Sequence, residues 1–410
     1  MLPRIRFPSF NGHYTEKSLH EAVLELKSGL SRMFSDSDIG LPVIRSNNIK
    51  DYCLDFNELK YWFEEDTQGA TTSNYYLRDG DILVNFINSQ AQIGKSAIYY
   101  NALNRDCIYT TNILSLRINK DYSPEFIFFF FQTKMYNDYI QSITKPAVNQ
   151  ASFTTKDFRK MKIFFPNLTE QTKIANFLSS VDEKIALLNK QYDLLCRYKK
   201  GMMQKIFSQE LRFKDDSGDE FPEWEEVELK KIASKVNTKN RDNSVTAVLT
   251  NSATQGIVSQ ESYFEREIVT ESNLTGYYVV RTGDFVYNPR ISSTAPVGPI
   301  KMNELTQGVM SPLYTVFRFE KGLLKFYQYF FESSVWHDYM KSVANSGARH
   351  DRMNISGADF FGLPVPQPFE AEQTKITNFL SALDNKIAVK KAELDKLKTW
   401  KQGLLQQMFV

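Results

Sequence analysis

The chain has 410 residues, of which 42% are apolar and 24% charged, with a formal net charge of +2 at pH 7. That length exceeds one hydrophobic core and fits two domains plus connecting helices, with a composition ordinary for a globular chain. Charge this near balance excludes whole-molecule attraction to nucleic acid, so a basic surface must be local or supplied by a partner.

The longest apolar run, Phe126 to Phe131, is too short to cross a bilayer, and the opening MLPRIRFPSF lacks the apolar core of a signal peptide. No membrane association and a cytoplasmic location are expected. Cys53, Cys107 and Cys196 are odd in number and widely spaced, which suits reduced thiols. His13, His20, His337 and His350 show no ligand spacing, so no metal site is expected.

In chain order, strands are predicted at 41–45, 81–87, 95–100 and 112–118, from β-branched and apolar residues between turn signals. Ser123-Pro124-Glu125 reads as a helix start, serine at the cap and proline in the first turn, opening one helix that carries Phe126, Phe129, Phe130 and Tyr136. A short helix near 155–160 and a strand over 161–165 follow, and Pro166 stops this first module. A long helix then begins EQTKIANFLSSVDEKIA at residue 170 and ends KKGMMQKIF at 207. An acidic linker over 215–220 leads to a second module, with strands at 246–250, 284–287 and 313–319. Pro364, Pro366 and Pro368 stop it before a second long helix, EQTKITNFLSALDNKIA to KQGLLQQMF, over 372–409.

The two helical stretches lie 202 residues apart and match at about half their positions without a gap. The repeat extends outward. Arg6-Phe7 with Tyr14 matches Arg212-Phe213 with Trp224; Asp81 and Asn85 match Asp284 and Asn288; Gly94 matches Gly298; Asp157-Phe158 matches Asp359-Phe360. Between these points the modules diverge, over 45–77 against 246–280 and 86–93 against 289–297. A shared scaffold with different loops suits two modules reading different things. The expected boundaries are 1–168, 169–209, 210–370 and 371–410.

Both helices carry apolar residues at alternating steps of four and three. Ile174, Leu178, Val181, Ile185, Leu188 and Leu195 form the first seam; Ile376, Leu380, Leu383, Ile387, Leu394 and Leu397 form the second. A two-fold relation between equivalent helices makes them antiparallel, so the fold class is mixed α/β modules in tandem, their helices paired as an antiparallel coiled coil. Lys199 and Lys401 fall on the seams, where a charge can fix register; the blander expectation is a buried stem with its head in water. Glu170 and Glu372 suit the helix dipole. Phe177, Phe379, Phe207 and Phe409 lie off the seam and either meet a partner or pack on the modules.

Catalytic signatures are incomplete. Gly94-Lys95-Ser96 lacks the upstream glycine of a phosphate loop, position 89 being serine, so Gly94 reads as a turn residue. Asn288-Pro289 continues to Arg290 and Ile291 without the aromatic that holds a flipped base. Asp81 and Asp284 sit in Gly-Asp turns without a visible partner and read as turn caps.

Recognition chemistry remains. Asn and Gln pair bidentately with adenine and Arg with guanine, while Ser, Thr and Lys commonly hold phosphates. The first module offers Asn47, Asn48, Asn88, Gln90, Gln92, Lys95, Lys145, Asn149, Gln150 and Thr154. The second offers Asn251, Gln255, Arg290, Ser292, Ser293, Ser346, Arg349, His350, Arg352 and Asn354, with 345–352 the most DNA-like segment by composition. Ordinary solvated loops are the alternative for any single residue.

Two variable modules, each followed by a helix opening EQxKIxxFLSxxDxKI and closing KxGxxQxxF, with FPEW at 221–224, resemble the specificity subunit of type I restriction-modification systems. The resemblance covers essentially the whole chain. It implies that each module reads one half of a bipartite target on double-stranded DNA and that the coiled coil spaces the halves. It also implies two modification subunits using S-adenosylmethionine for adenine methylation, and two restriction subunits using ATP and Mg. This chain would bind none of those cofactors and catalyse nothing. The competing readings are a coiled-coil scaffold with two protein-binding modules, and a self-contained methyltransferase or nuclease.

Overall fold

The computed structural model describes residues 2–146, 150–263, 271–345 and 351–410. They fall into two compact units, Met1–Asn189 with Ala392–Val410, and Lys190–Lys391. Each contains one expected module and portions of both long helices, Leu168–Phe207 and Glu370–Met408.

The first unit is built on an antiparallel four-stranded sheet, in the order Val23–Ser28, Ile113–Ile118, Ile82–Asn85, Ser96–Ile98. Strand period sorts its side chains. Ile82, Val84, Leu114 and Leu116 enter the main core with the Phe-rich helices, while Leu83 enters a smaller core with Ile44, Tyr99 and Tyr109. The second unit repeats that order with Ala233–Lys235, Thr315–Phe319, Phe285–Tyr287 and Ile300–Met302. Phe285 and Phe317 enter its main core, and Val286 and Val316 a smaller one.

Several sequence expectations change. The helix opened by Ser123 ends at Phe130, and Tyr136 lies on a separate helix, Lys134–Ile143. Thr133 causes the break: its hydroxyl donates to the Phe130 carbonyl (2.7 Å) and accepts the Tyr136 N–H (3.3 Å), capping the new helix. Pro364 and Pro366 do not merely end the module. They lie in the strand Pro364–Gln367, paired with Glu225–Glu228 in a two-stranded ribbon, where an edge position needs no N–H.

Each unit's core is completed by both helices. In the first, Ile174, Leu178 and Val181 share a cluster with Leu404, Leu405, Met408 and Phe409; in the second, Met203, Ile206 and Phe207 join Ile376, Leu380 and Leu383. Leu188 and Leu394 are buried, and Ile185, Leu195, Ile387 and Leu397 half-buried. The off-seam phenylalanines pack on the modules. Phe409 lies 4.9 Å from Phe126, Phe207 lies 5.4 Å from Phe326, Phe177 sits between Phe7 and Trp400, and Phe379 meets Phe213.

The seam lysines do not reach water with their heads. Lys401 Nζ lies 2.6 Å from Asp182 Oδ1, donates to Gln132 Oε1 (2.8 Å) and sits over the Phe129 ring. Lys199 repeats this with Asp384 at 2.7 Å, Glu332 at 3.1 Å and the Tyr329 ring. Burial alone would pull the Lys199 ammonium pKa down, but Glu332 and Asp384 outweigh it and the net direction is up. Each lysine thus ties a module and both helices at one point.

Glu170 and Glu372 do more than face a helix dipole. Both are fully buried. Arg6 grips Glu170 with two hydrogen bonds of 2.7 Å, and Tyr14 donates a third at 3.2 Å. Arg212 grips Glu372 at 3.0 and 2.8 Å, with Trp224 Nε1 donating at 2.9 Å. Burial, and then the Glu170 charge, push the Tyr14 phenol well above its usual range. Asp81 and Asp284 do cap their turns, accepting the Arg78 and Arg281 N–H groups, but each also has a partner, Arg117 and Arg318, both at under 3 Å.

Candidate nucleic-acid interface

The interface grows out of the central sheet at the same place in both units. In the first, the strand Ile82–Asn85 runs into Ile87–Asn88, which pairs with Ala151–Ser152, itself paired with Lys145–Pro146. Asn88 stands opposite Ala151, and Lys145 opposite Ser152. In the second, Phe285–Tyr287 runs into residues 288–292. There Arg290 faces Arg352 across an antiparallel bridge, Ile291 N–H donates to Asp351 O (3.0 Å) and Met353 N–H to Pro289 O (2.8 Å). Each loop returns through a glycine with positive φ, 77° at Gly94 and 79° at Gly298. A Cβ on Gly298 would lie 2.2 Å from the Asn288 carbonyl oxygen, so the tight return needs glycine there.

This framework gathers some candidates and spends others. In the first unit Gln90, Lys95, Lys145 and Gln150 are exposed, and Asn88 and Gln92 half-buried, around the small sheet. Thr154 is also exposed, but its hydroxyl accepts the Asp157 N–H (3.0 Å) and caps the helix Thr155–Arg159. The Lys160 ammonium and the Thr154 hydroxyl hold the Asp157 carboxyl below its usual range. Asn47 lies apart, lining a concavity with Arg32, Arg45, Ser46, Thr111 and Asn112. Asn48 is buried, its amide accepting from Arg45 N–H and donating to Asp55 O at 2.9 Å each, so it holds its own turn. Asn85 is fully buried with neither amide atom partnered.

In the second unit a cleft of about 260 Å³ is lined by Thr250, Asn251, Asn288, Arg290, Ser292 and Arg352, with Tyr314 at its wall. Asn251 is buried and donates to the Val286 and Pro299 carbonyls (2.7 and 3.2 Å), while Asn288 donates to Asn251 O (3.1 Å) and accepts from Arg290 N–H (3.0 Å). These amides shape the floor. Ser292 shares a 3.1 Å hydrogen bond with Thr294; Ser293, Gln255 and Asn354 are exposed at the edges. Tyr287 donates to the Val297 carbonyl (3.0 Å) beneath, and burial pushes its phenol well up. Asn149, Ser346, Arg349 and His350 lie outside the described residues.

Sequence reasoning missed Thr111, Asn112 and Tyr314 as lining residues. It also missed the Arg–carboxylate pairs, although opposite charges recurring at Arg117 and Asp81, and at Arg318 and Asp284, were a signal in the repeat itself. Among the described residues no group of three His, Cys, Asp or Glu could hold a metal ion. Among the same residues no helix is long and apolar enough to cross a membrane. What both loop clusters present is a display of donors and acceptors, the chemistry of recognition.

The family model of the type I restriction modification DNA specificity domain matches this chain twice, over residues 38–196 and 222–399. The chain is 26% identical over 365 residues to the type I restriction enzyme MjaVIII specificity subunit of Methanocaldococcus jannaschii, covering 81% of this chain and 83% of that one. A second protein of that organism, provisionally named the MjaX specificity subunit, is 28% identical over 405 residues, covering 95% and 91%. The EcoKI specificity subunit of Escherichia coli K12 is 22% identical over 203 residues, 49% of this chain and 43% of that one. Among solved structures, the S subunit of the M. genitalium type I system covers 100% of this chain and 99% of its own, with TM-score 0.56 and 14% identity. A chain from a structure describing complex assembly and conformational transition of a type I R-M system gives TM-score 0.55 and 15% identity over 99% of each. At such identities these structures speak for the fold, two α/β modules in tandem with long helices. The two matched segments span most of the sequence, and the chain belongs to the type I restriction-modification DNA specificity family.

Proposed function

We propose that this chain is a non-catalytic DNA reader in which modules 1–168 and 210–370 each recognise one half of a bipartite, asymmetric double-stranded target. The helices 169–209 and 371–410 pair as an antiparallel coiled coil and set the spacer. Two modification subunits dock on the assembly and methylate adenine with S-adenosylmethionine. Two restriction subunits add ATP- and Mg-dependent translocation and cleavage; this chain binds none of these cofactors.

One observation carries the reading. Two sheets of identical strand order lead into ribbons with different polar residues, Asn88 and Lys145 in one unit, Arg290 and Arg352 in the other. A common frame with divergent contacts is what two readers of different sequences require.

The test uses the chain reconstituted with its modification subunit. Retention of a duplex bearing the target is expected to survive competition by scrambled duplex and to fall steeply with salt, by about 10³–10⁵ between 50 and 200 mM if six to ten phosphates are neutralised. Equal retention of scrambled duplex would leave the protein-binding scaffold as the better account.

A further inference from the structure

We infer that Arg290 and Arg352, with Asp351 between them, read a G·C base pair in the half-site of the second module. The inference rests on the DNA-reading function proposed above and names the base that this cleft recognises.

The two arginines are direct partners across an antiparallel bridge, so their side chains leave the same face. Like charges in that position repel, and a protein places them there at a cost unless something acceptor-rich lies against them. The available compensation is incomplete. A single carboxylate oxygen, Asp351 Oδ2, stands 3.9 Å from Nε of each arginine, beyond hydrogen-bond distance. Arg352 Nε is buried without a hydrogen-bond partner, and Arg290 is largely exposed, its guanidinium making no hydrogen bond among the described residues. Among the described residues neither guanidinium makes a hydrogen bond, and both arginines line the cleft.

Either a phosphate or a guanine edge could take them. Three features favour the guanine. Asp351 lies between the arginines, where it repels a phosphate; beside a base pair it can accept from the cytosine N4 amino group while an arginine donates to guanine O6 and N7. Among the described residues, the groups lining the cleft around the forks are Thr250, Asn251, Asn288 and Ser292, with no further cation. Finally, the arginines lie on the ribbon that leaves the central sheet strand, where the first unit's ribbon carries Ile87 and Asn88 against Ala151 and Ser152, so this is where the modules differ and where sequence information belongs.

Methylation by the complete complex of this chain and its modification subunit, measured on a library of randomised sites, tests the assignment. The second module's half-site is the one that persists when residues 1–165 are exchanged. It is expected to contain a fixed guanine. Arg352→Ala or Arg290→Ala should lower discrimination at that position by about 5- to 150-fold, leaving the other half-site and spacer unchanged. Arg352→Lys keeps the charge and the fold but lacks the fork, and should relax the same position. A second half-site without guanine overturns the inference. So do variants that keep full discrimination while losing affinity uniformly, with a salt slope smaller by about one, the mark of a phosphate contact. If the unmodified complex methylates with no sequence preference, the DNA-reading function itself fails.

Discussion

Arg212→Met is expected to destabilise the second unit by about 3–5 kcal/mol, and Arg212→Met with Glu372→Leu to recover part of that loss. The asymmetry follows from where the charge is left. Glu372 is fully buried and accepts from Arg212 Nε and Nη2 and from Trp224 Nε1. Removing the guanidinium strands a carboxylate away from water with one neutral donor, whereas replacing both groups by apolar ones removes the charge entirely. The double variant keeps a penalty of about 1–3 kcal/mol, because the Trp224 indole N–H loses its acceptor. Urea unfolding of the full chain measures this as a midpoint shift at constant slope. A single variant within 1 kcal/mol of the parent would mean that the carboxylate reaches water and the clasp does not hold the module on its helix.

A four-residue insertion in each long helix, after Leu188 and after Ile387, is expected to reduce methylation of the native target at least 100-fold and to select sites with a longer spacer. Four residues add about 6 Å of helix, which at 3.4 Å per base pair corresponds to one to two base pairs. The insertions fall between the two lysine junctions, Lys401 with Asp182 and Lys199 with Asp384, so both modules keep their attachments. A four-residue insertion in a heptad seam is accommodated by local unwinding. Methylation of a library varying only in spacer length gives the answer. An unchanged optimum would mean that the helices do not set the distance between half-sites.

The doubled helix was legible because its information is local. Ile174, Leu178 and Val181 recur as Ile376, Leu380 and Leu383 at the spacing of a helix face, and both sets are buried. The larger strands were legible too, since Ile82–Asn85 and Ile113–Ile118 are rich in apolar residues, some of them β-branched, between turn signals. Strands of two or three residues, such as Ile87–Asn88 and Ala233–Lys235, are too short to show a period and are fixed by their partners. The seam lysines show the same limit. Heptad position placed Lys199 and Lys401 on the seam, but Asp384 and Asp182 became their partners only in three dimensions. Within the candidate interface, composition could not separate amides that support a loop from amides left for a ligand. Asn48 and Asn251 are used on the protein's own backbone, whereas the Arg290 and Arg352 guanidiniums make no hydrogen bond among the described residues. Burial and hydrogen bonding make that distinction, and neither is a property of residue type.

The central claim is that two independent readers share one chain, and exchanging residues 1–165 for the corresponding module of another family member tests it most directly. Methylated adenines are mapped in cells carrying the exchanged chain and its modification subunit. One half of the target should change while the other half, including the guanine assigned to Arg290 and Arg352, and the spacer remain. A change in both halves would contradict the account.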